Sequence, residues 1–564
     1  MPKRAWFMRH LDILLLVGVL LLLLSVLAVR GLDLGYIGDV LNVDYHFERY
    51  GLWQGTHWLV ADFWARHLLG GIYGAATHYL FPGSDAAWYA LALATHYVAA
   101  VTAYLLVRSL FSGRIARLLG WLSAVIFAVA LLDIPSNFEF PSIISRNLPL
   151  AFAWLSLLLY ARYRRGGRSS RMTLHVSFAL YVAAFTAYEQ SALFFLLYPV
   201  IAFFEASGRR SPCAFVRELV EDLFLFPVSV AVYVYVLLFL FPGRGGFSFS
   251  PAWILQQWVD GLRALFDPTR IAGQISGAVG ESSLAVFVLL VLFVSVGVWL
   301  ALRNAGDEAN EERSLLGAMV LGALASLVTI ASASLTAFNL ATDPRLLYPA
   351  LFSAPLLILS LIAWGAARLR VSPLGHVLIA VLAASLIVAG GFSLINTHSR
   401  YQSANLVRQQ SLAALRQAVP EIVEPARPYF LVVTNAVDPD SFQLNMRDIN
   451  FPFLLDRLYG VDGLMGDGVY LRSEGALAAD ETTTPVGAII ADEDGIHSPL
   501  RPGEIIDPDR LVVVFYDVDT GTVRVHERLP EEVLTGSNIV DRVGLDWATN
   551  WSQIRVAEGS VSPP

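Results

Sequence analysis

One cysteine, Cys213, stands in a chain of 564 residues. A single thiol excludes any disulfide within the chain and any CxxC zinc site, so a domain outside the membrane has to rest on its own core. Charge is scarce too: Asp, Glu, Lys and Arg make up 15% of the residues, against 56% hydrophobic and a mean hydropathy of +0.57. That balance excludes an ordinary soluble globular protein. Internal repeats, a Walker A loop, a dinucleotide-binding glycine pattern and an HExxH motif are also missing, which sets aside the chemistries those motifs carry.

What is present is apolar sequence in blocks of about 16–24 residues, the length that crosses a bilayer as a helix. Eleven blocks are expected as spans: 11–29, 86–107, 117–132, 148–161, 173–188, 190–204, 223–241, 284–302, 314–337, 346–364 and 374–395. The fifth and sixth are short and closely joined, which fits half-spanning or tilted helices. The first is too long for a signal-peptide core and lacks a small-residue cleavage site, so it reads as a retained helix. Arginines crowd the loops on the starting side, as at Arg162, Arg164, Arg165, Arg168 and Arg171, and are sparse on the other. That bias places the N-terminus in the cytoplasm and the first loop, 30–85, outside. An odd number of spans then puts everything after 395 outside as well.

The chain changes character near Asn396. Residues 396–564 carry 13 Arg against 25 Asp and Glu, a net −12 in a chain whose total is −8. An acidic outer tail and a basic inner face argue against nucleic acid as a partner. Tyr429–Thr434 and Leu511–Tyr516 read as buried strands, and Asp519-Thr520-Gly521 followed by Thr522–His526 as a hairpin. Asn405–Val419 and Phe451–Tyr459 read as helices, and the last dozen residues as frayed. The expected division is a membrane domain over 1–395 and a soluble α+β domain over 396–564.

The acidic, aromatic first loop is where chemistry is expected. It holds Asp39, Asp44 and Glu48 within ten residues, just past the first span, and ionised groups at a membrane boundary are functional candidates by default. Asp39, flanked by Gly35 and Gly38, is the natural general base for an acceptor hydroxyl, with Asp44 and Glu48 assisting. Asp44, His46 and Glu48 alternate and would share one face of a strand, so a divalent cation stays open as an alternative. At the outer ends of later spans stand Asp133, Glu139, Arg146, Glu189 and Arg345. Glu189 fits a structural ion pair or a substrate contact equally well. Arg345 suits a lipid-linked phosphate, whose oxygens match a planar guanidinium.

The order of these features resembles the GT-C type of polytopic membrane glycosyltransferase, nearest to bacterial relatives of the dolichyl-phosphate-mannose protein O-mannosyltransferases. The resemblance covers roughly residues 10–365. It runs from the acidic loop at Asp39 to the span Trp88–Tyr97 with Tyr104-Leu105-Leu106-Val107-Arg108 at its end. It continues through Pro135, Glu139 and Arg146, then Ala187-Tyr188-Glu189, then Arg345-Leu346-Leu347-Tyr348-Pro349. The sequence departs from the family in four places. Val40 follows Asp39 where a second acid is usual, Ile134 replaces the histidine before the proline, Tyr188 replaces the lysine before the glutamate, and the tail lacks tetratricopeptide repeats.

The resemblance implies an α-helical polytopic membrane protein of about 11 transmembrane helices with a C-terminal extracytoplasmic α+β domain. It also implies an inverting transfer of sugar from a polyprenyl-phosphate carrier to a protein or glycan acceptor at the outer face of the cell membrane. Asp39 would be the base and Arg345, Arg146 and Tyr348 the donor-phosphate residues, with Glu139, Glu189 and His46 in support. The resemblance fixes no cofactor, and a divalent cation stays open. The rival readings are a lipid-sugar flippase, which would show repeated halves, and a non-catalytic membrane scaffold.

Overall fold

The computed structural model describes residues 40–57, 68–82, 85–129, 146–168, 170–205, 212–240, 250–280, 283–305, 311–335, 340, 347–423, 425–434, 451–470, 488–498, 504–517, 519–537 and 539–561, with a few positions between 13 and 21. The chain forms two compact units. One runs from Tyr50 to His398 together with Met1–Leu32; the other joins Asp33–Arg49 to Ser399–Pro564. Helix α1 (Val40–His57) contributes to both, and it bends at Gly51, whose φ of 71° is a left-handed value that side chains disfavour.

The first unit is helical. After α1 come α2 (Leu68–Leu80), α3 (Asp85–Leu110), α4 (Arg114–Val129), α5 (Leu148–Arg165) and α6 (Arg171–Ala187). A 3₁₀ stretch, Glu189–Leu197, leads into α7 (Tyr198–Glu205), followed by α8 (Pro212–Leu223), α9 (Leu225–Leu240), α10 (Pro251–Phe266) and α11 (Pro268–Gly280). Helices α12 (Leu284–Ala305), α13 (Glu311–Ser334), α14 (Ala350–Arg368) and α15 (Ser372–Ala418) complete the set. From the second onward, each expected span has its described residues mainly in helix, the sixth beginning as the 3₁₀ stretch. Among the described residues, five helices are long and apolar enough to cross a membrane: Ala86–Leu110, Leu284–Arg303, Glu311–Ser334, Ala350–Arg368 and Ser372–Ser399. Counting the pair Pro212–Leu223 and Leu225–Val236, bent by 44°, as one span makes six. The fifth and sixth expected spans are indeed short, separated by an extended residue, Tyr188.

Small residues let these helices approach closely, as bilayer-embedded packing favours. A Cβ on Gly322 of α13 would stand 2.7 Å from the Leu357 nitrogen and 2.8 Å from the Ser353 carbonyl of α14, so only glycine fits that crossing. Ser326 and Ser353 bond across the same interface at 2.8 Å. Large aromatic side chains fill the wider gaps, with Trp88, Tyr104, Trp154, Tyr160, Tyr181 and Tyr198 all fully buried. Helix α12 instead exposes Leu289, Leu292 and Phe293, the apolar surface that hydrocarbon solvates without cost.

At the end of α5 the arginine-rich segment meets α8. Arg164 bonds Asp222 at 2.8 Å and Glu218 at 2.9 Å, while Arg168 bonds Asp222 at 2.7 Å and Glu221 at 3.2 Å. The Tyr163 hydroxyl also donates to Asp222, at 3.0 Å. Asp222 therefore accepts from three groups of α5 and its adjoining turn, and it is buried together with Arg164.

In the second unit, a four-stranded sheet has the order β3-β2-β7-β8 (Met465–Tyr470, Tyr429–Thr434, Leu511–Asp517, Thr522–His526). Its first three strands are parallel and β8 is antiparallel. A central parallel strand is covered on both faces, which is why β2 and β7 are unbroken apolar runs. On one face Phe430, Val432, Val512 and Val514 pack on the end of α15 (Leu415, Ala418) and on α16 (Phe451–Tyr459). On the other, Tyr429, Leu431, Val433 and Val513 pack on a second sheet of order β6-β5-β4-β9 (Ile505–Ile506, Gly495–His497, Ile489–Asp492, Ile539–Asp541). The unit is thus helices, sheet and sheet in layers. Short α17 (Glu531–Gly536) and the pair β1 (Glu421–Ile422) and β10 (Ile554–Arg555) finish it.

Two polar groups specify this core. The Tyr429 hydroxyl donates to Asp467 at 2.8 Å, and burial together with that carboxylate pushes the phenol well up from its ordinary range. Asp541 accepts from Trp547 Nε1 at 3.0 Å and from the amides of Val543, Gly544 and Leu545. Burial works against its ionisation, but those four donors hold the carboxyl below its ordinary value. The expectation of a frayed tail is corrected here. The Ala557 amide donates to the Ala418 carbonyl at 3.0 Å and that of Val525 to Ser560 at 2.8 Å, backbone bonds that no side-chain pattern announces.

Candidate functional site

His96 lies within α3, Asn147 directly before α5 and Tyr348 two residues before α14, and all three are fully buried. Each would be costly to bury alone. Together they form one hydrogen-bonded chain. Asn147 Nδ2 donates to the Ala92 carbonyl at 2.9 Å, and its Oδ1 accepts from the Tyr348 hydroxyl at 2.6 Å. The same hydroxyl meets His96 Nδ1, and His96 Nε2 meets the Ala128 carbonyl at 3.0 Å. A carbonyl only accepts, so Nε2 donates to Ala128, while Nδ1 and the Tyr348 hydroxyl share one hydrogen bond whose donor the tautomer decides. Phe127 stacks on the imidazole with ring centroids 4.7 Å apart.

Local sequence explains the placement. Asn147 occupies the N-cap position of α5 but makes no side-chain cap, because its amide reaches across the bundle instead. Pro149 in the first turn lacks an N–H and so needs no capping partner of its own. Ala92 and His96 are one turn apart on α3 and therefore share a face, which lets one helix receive both Asn147 and Tyr348. Arg146, next to Asn147, is also buried and lies within electrostatic reach of the Tyr348 hydroxyl.

Of the residues expected from sequence, Arg146 and Tyr348 thus stand together although they lie far apart in the chain. Asp39, Glu139 and Arg345 lie outside the described residues. Asp44 falls in α1 and Glu189 opens the 3₁₀ stretch, as backbone positions only. Glu48 is paired with Arg457 of the second unit, at 2.6 and 3.0 Å, and the neighbouring Arg49 pairs with Asp462. Phe47, just before Glu48, is buried, while His46 is half-buried.

The strand reading of Asp44, His46 and Glu48 is corrected: all three belong to α1. In a helix, positions two apart point about 200° away from each other, so the alternation does not align three ligands. Among the described residues there is no group of three or more His, Cys, Asp or Glu able to hold a metal ion. His96 and Asn147 had no assigned role in the sequence. Their signal was present, as a histidine inside an apolar span and an asparagine beside an arginine where a span begins, but such residues are more often satisfied core groups.

The chain matches no protein-family model and no curated protein. Among solved structures it is similar to the Archaeoglobus fulgidus oligosaccharyltransferase in its apo form, at 12% identity over 76% of this chain and 63% of that one, with a TM-score of 0.35. It is also similar to ArnT from Cupriavidus metallidurans bound to undecaprenyl phosphate, at 10% identity over 81% of this chain and 92% of that one, with a TM-score of 0.37. The chain spans less than two thirds of the length of the archaeal protein.

Proposed function

We propose that this chain is a membrane glycosyltransferase that takes a sugar from a polyprenyl-phosphate carrier and passes it to a protein or glycan acceptor at the outer membrane face. The observation that carries the reading is the 2.6 Å hydrogen bond from Tyr348 to Asn147, which brings the buried Arg146 next to Asn147 within electrostatic reach of Tyr348 inside an apolar helix bundle. A prenyl phosphate needs a planar cation for its oxygens and an apolar surround for its tail, and this arrangement supplies both. Arg345, three residues before Tyr348 in sequence, is the second cation of the proposed set. Asp39 takes the acceptor proton, and Asp44 is its nearest substitute now that Glu48 is engaged with Arg457. Glu139, Glu189 and His46 remain supporting residues. Residues 396–564 receive the acceptor, and no metal step is invoked.

Donor titration tests this reading. With a short-chain prenyl-phosphate sugar, Arg146→Ala and Arg345→Ala should each weaken binding by roughly 2–4 kcal/mol, and the lysine variants by less, since an ammonium keeps charge but not the two-pronged geometry. Wild-type affinity in both alanine variants would reduce the two arginines to helix-end structure and remove the donor site.

The proposed orientation follows the arginine bias and has its own test. A reporter active only in the cytoplasm, fused after Ser562, should stay silent; strong activity would invert the span parity and move Asp39 to the wrong side.

A further inference from the structure

We propose that His96 is a positioning residue for the donor-phosphate site, acting through the Tyr348 hydroxyl; this rests on the reading of Arg146 and Tyr348 given above. Two segments distant in sequence bring those residues to the site. Tyr348 stands in the turn before α14, and Arg146 opens the π-helical turn that runs into α5. What they share is the face of α3 that carries Ala92 and His96. The Ala92 carbonyl holds Asn147, the neighbour of Arg146, and His96 Nδ1 holds Tyr348. Asn147 Oδ1 then closes the link between the two segments through the same hydroxyl, at 2.6 Å.

The two imidazole nitrogens do different work. Nε2 ties α3 to the Ala128 carbonyl near the end of α4, which is bundle architecture. Nδ1 reaches the site. An apolar side chain against Phe127 would fill the same space without burying a polar ring, so stability alone does not explain a histidine. A fully connected buried network instead selects one arrangement of the groups that it joins. Here those groups are the hydroxyl of Tyr348 and the amide beside Arg146.

Two substitutions separate the roles of the nitrogens. In His96→Asn the shorter amide sits near the place of Nδ1 and can offer its oxygen to Tyr348, but it loses Ala128. In His96→Gln the longer amide reaches Ala128 in place of Nε2 and loses Tyr348. Affinity for a short-chain prenyl phosphate is measured for both in the full-length protein, beside thermal midpoints. His96→Gln should bind about tenfold more weakly than wild type, the size of one buried hydrogen bond, while His96→Asn stays within about threefold. Tyr348→Phe should show a loss like that of His96→Gln, and adding His96→Gln to it should deepen the loss little, since both remove the same link. Equal losses in the two His96 variants, a better-binding His96→Gln, or additive losses in the double variant would overturn the proposal and leave His96 as a staple between α3 and α4. Failure of the wild-type protein to bind the probe would be a different result, removing the donor reading itself and this inference with it.

Discussion

Asp39→Asn should leave a protein that folds and binds donor like wild type and transfers sugar at least about a hundredfold more slowly, because a positioned general base contributes on the order of 10²–10⁴ in rate. The amide keeps the size and most of the hydrogen bonding of the carboxylate but cannot accept a proton. The loss should therefore fall on turnover, and donor affinity should stay within a factor of about two. Glu48→Gln should behave differently. Its carboxylate is paired with Arg457, on a side chain that is itself 47% exposed, so the change removes an ion pair worth under about 1 kcal/mol. Transfer rates with purified donor and acceptor separate the cases. Near-normal turnover in Asp39→Asn would shift the role to Asp44, and near-normal turnover in the Asp39→Asn, Asp44→Asn double variant would sink base catalysis by this segment altogether.

The contrast between those carboxylates shows what the sequence carried. Runs of bilayer length were legible because apolar composition alone marks a helix in hydrocarbon, and among the described residues five of them are helices long enough to cross a membrane. Strands β2 and β7 were legible for a related reason, since a parallel strand covered on both faces is one uninterrupted apolar run. Helices α10 and α11 were not. They lie in a segment read as an outer loop, and Gln256, Gln257, Asp260 and Arg263 interrupt the first of them below any span threshold. Yet Gln257 is fully buried there, its Oε1 accepting from the Leu340 amide at 2.7 Å. The alternation at Asp44, His46 and Glu48 was ambiguous because five residues are too few to tell a period of two from one of 3.6. The short strands β4, β5, β6 and β9 gave no pattern of their own and exist through pairing with each other.

The site was half legible. Chemistry-bearing types in a familiar order pointed to Arg146 and Tyr348, and their proximity required the fold. His96 and Asn147 required it more, for their work is visible only as distances: each is an ordinary buried polar residue until the hydroxyl of Tyr348 is seen between them. Sequence reasoning finds groups that could meet a ligand. It does not find the groups that hold them.

Asp222→Ala should be among the most destabilising single changes in the helical unit, costing about 3–5 kcal/mol, because it strips the principal carboxylate from a buried guanidinium. The Arg164 side chain is 3% exposed and that of Asp222 1%, so neither is rescued by water. The loss also removes the acceptor of the Tyr163 hydroxyl and one of the bonds of Arg168, leaving Glu218 as the remaining partner of Arg164 in this cluster. Glu221→Ala is the internal control. Glu221 bonds Arg217 at 2.9 Å and Arg168 at 3.2 Å from an exposed position, where water screens both pairs, and its removal should cost far less than that of Asp222. Asp222→Asn should fall between the two, keeping the shape while giving up the charge. Thermal unfolding of the three variants in the same detergent orders them. If Asp222→Ala unfolds together with Glu221→Ala, water or lipid headgroups reach Arg164, and the arginines of this segment act only through their count. If the order holds, the arginines whose bias underlies the proposed orientation also lock α5 to α8.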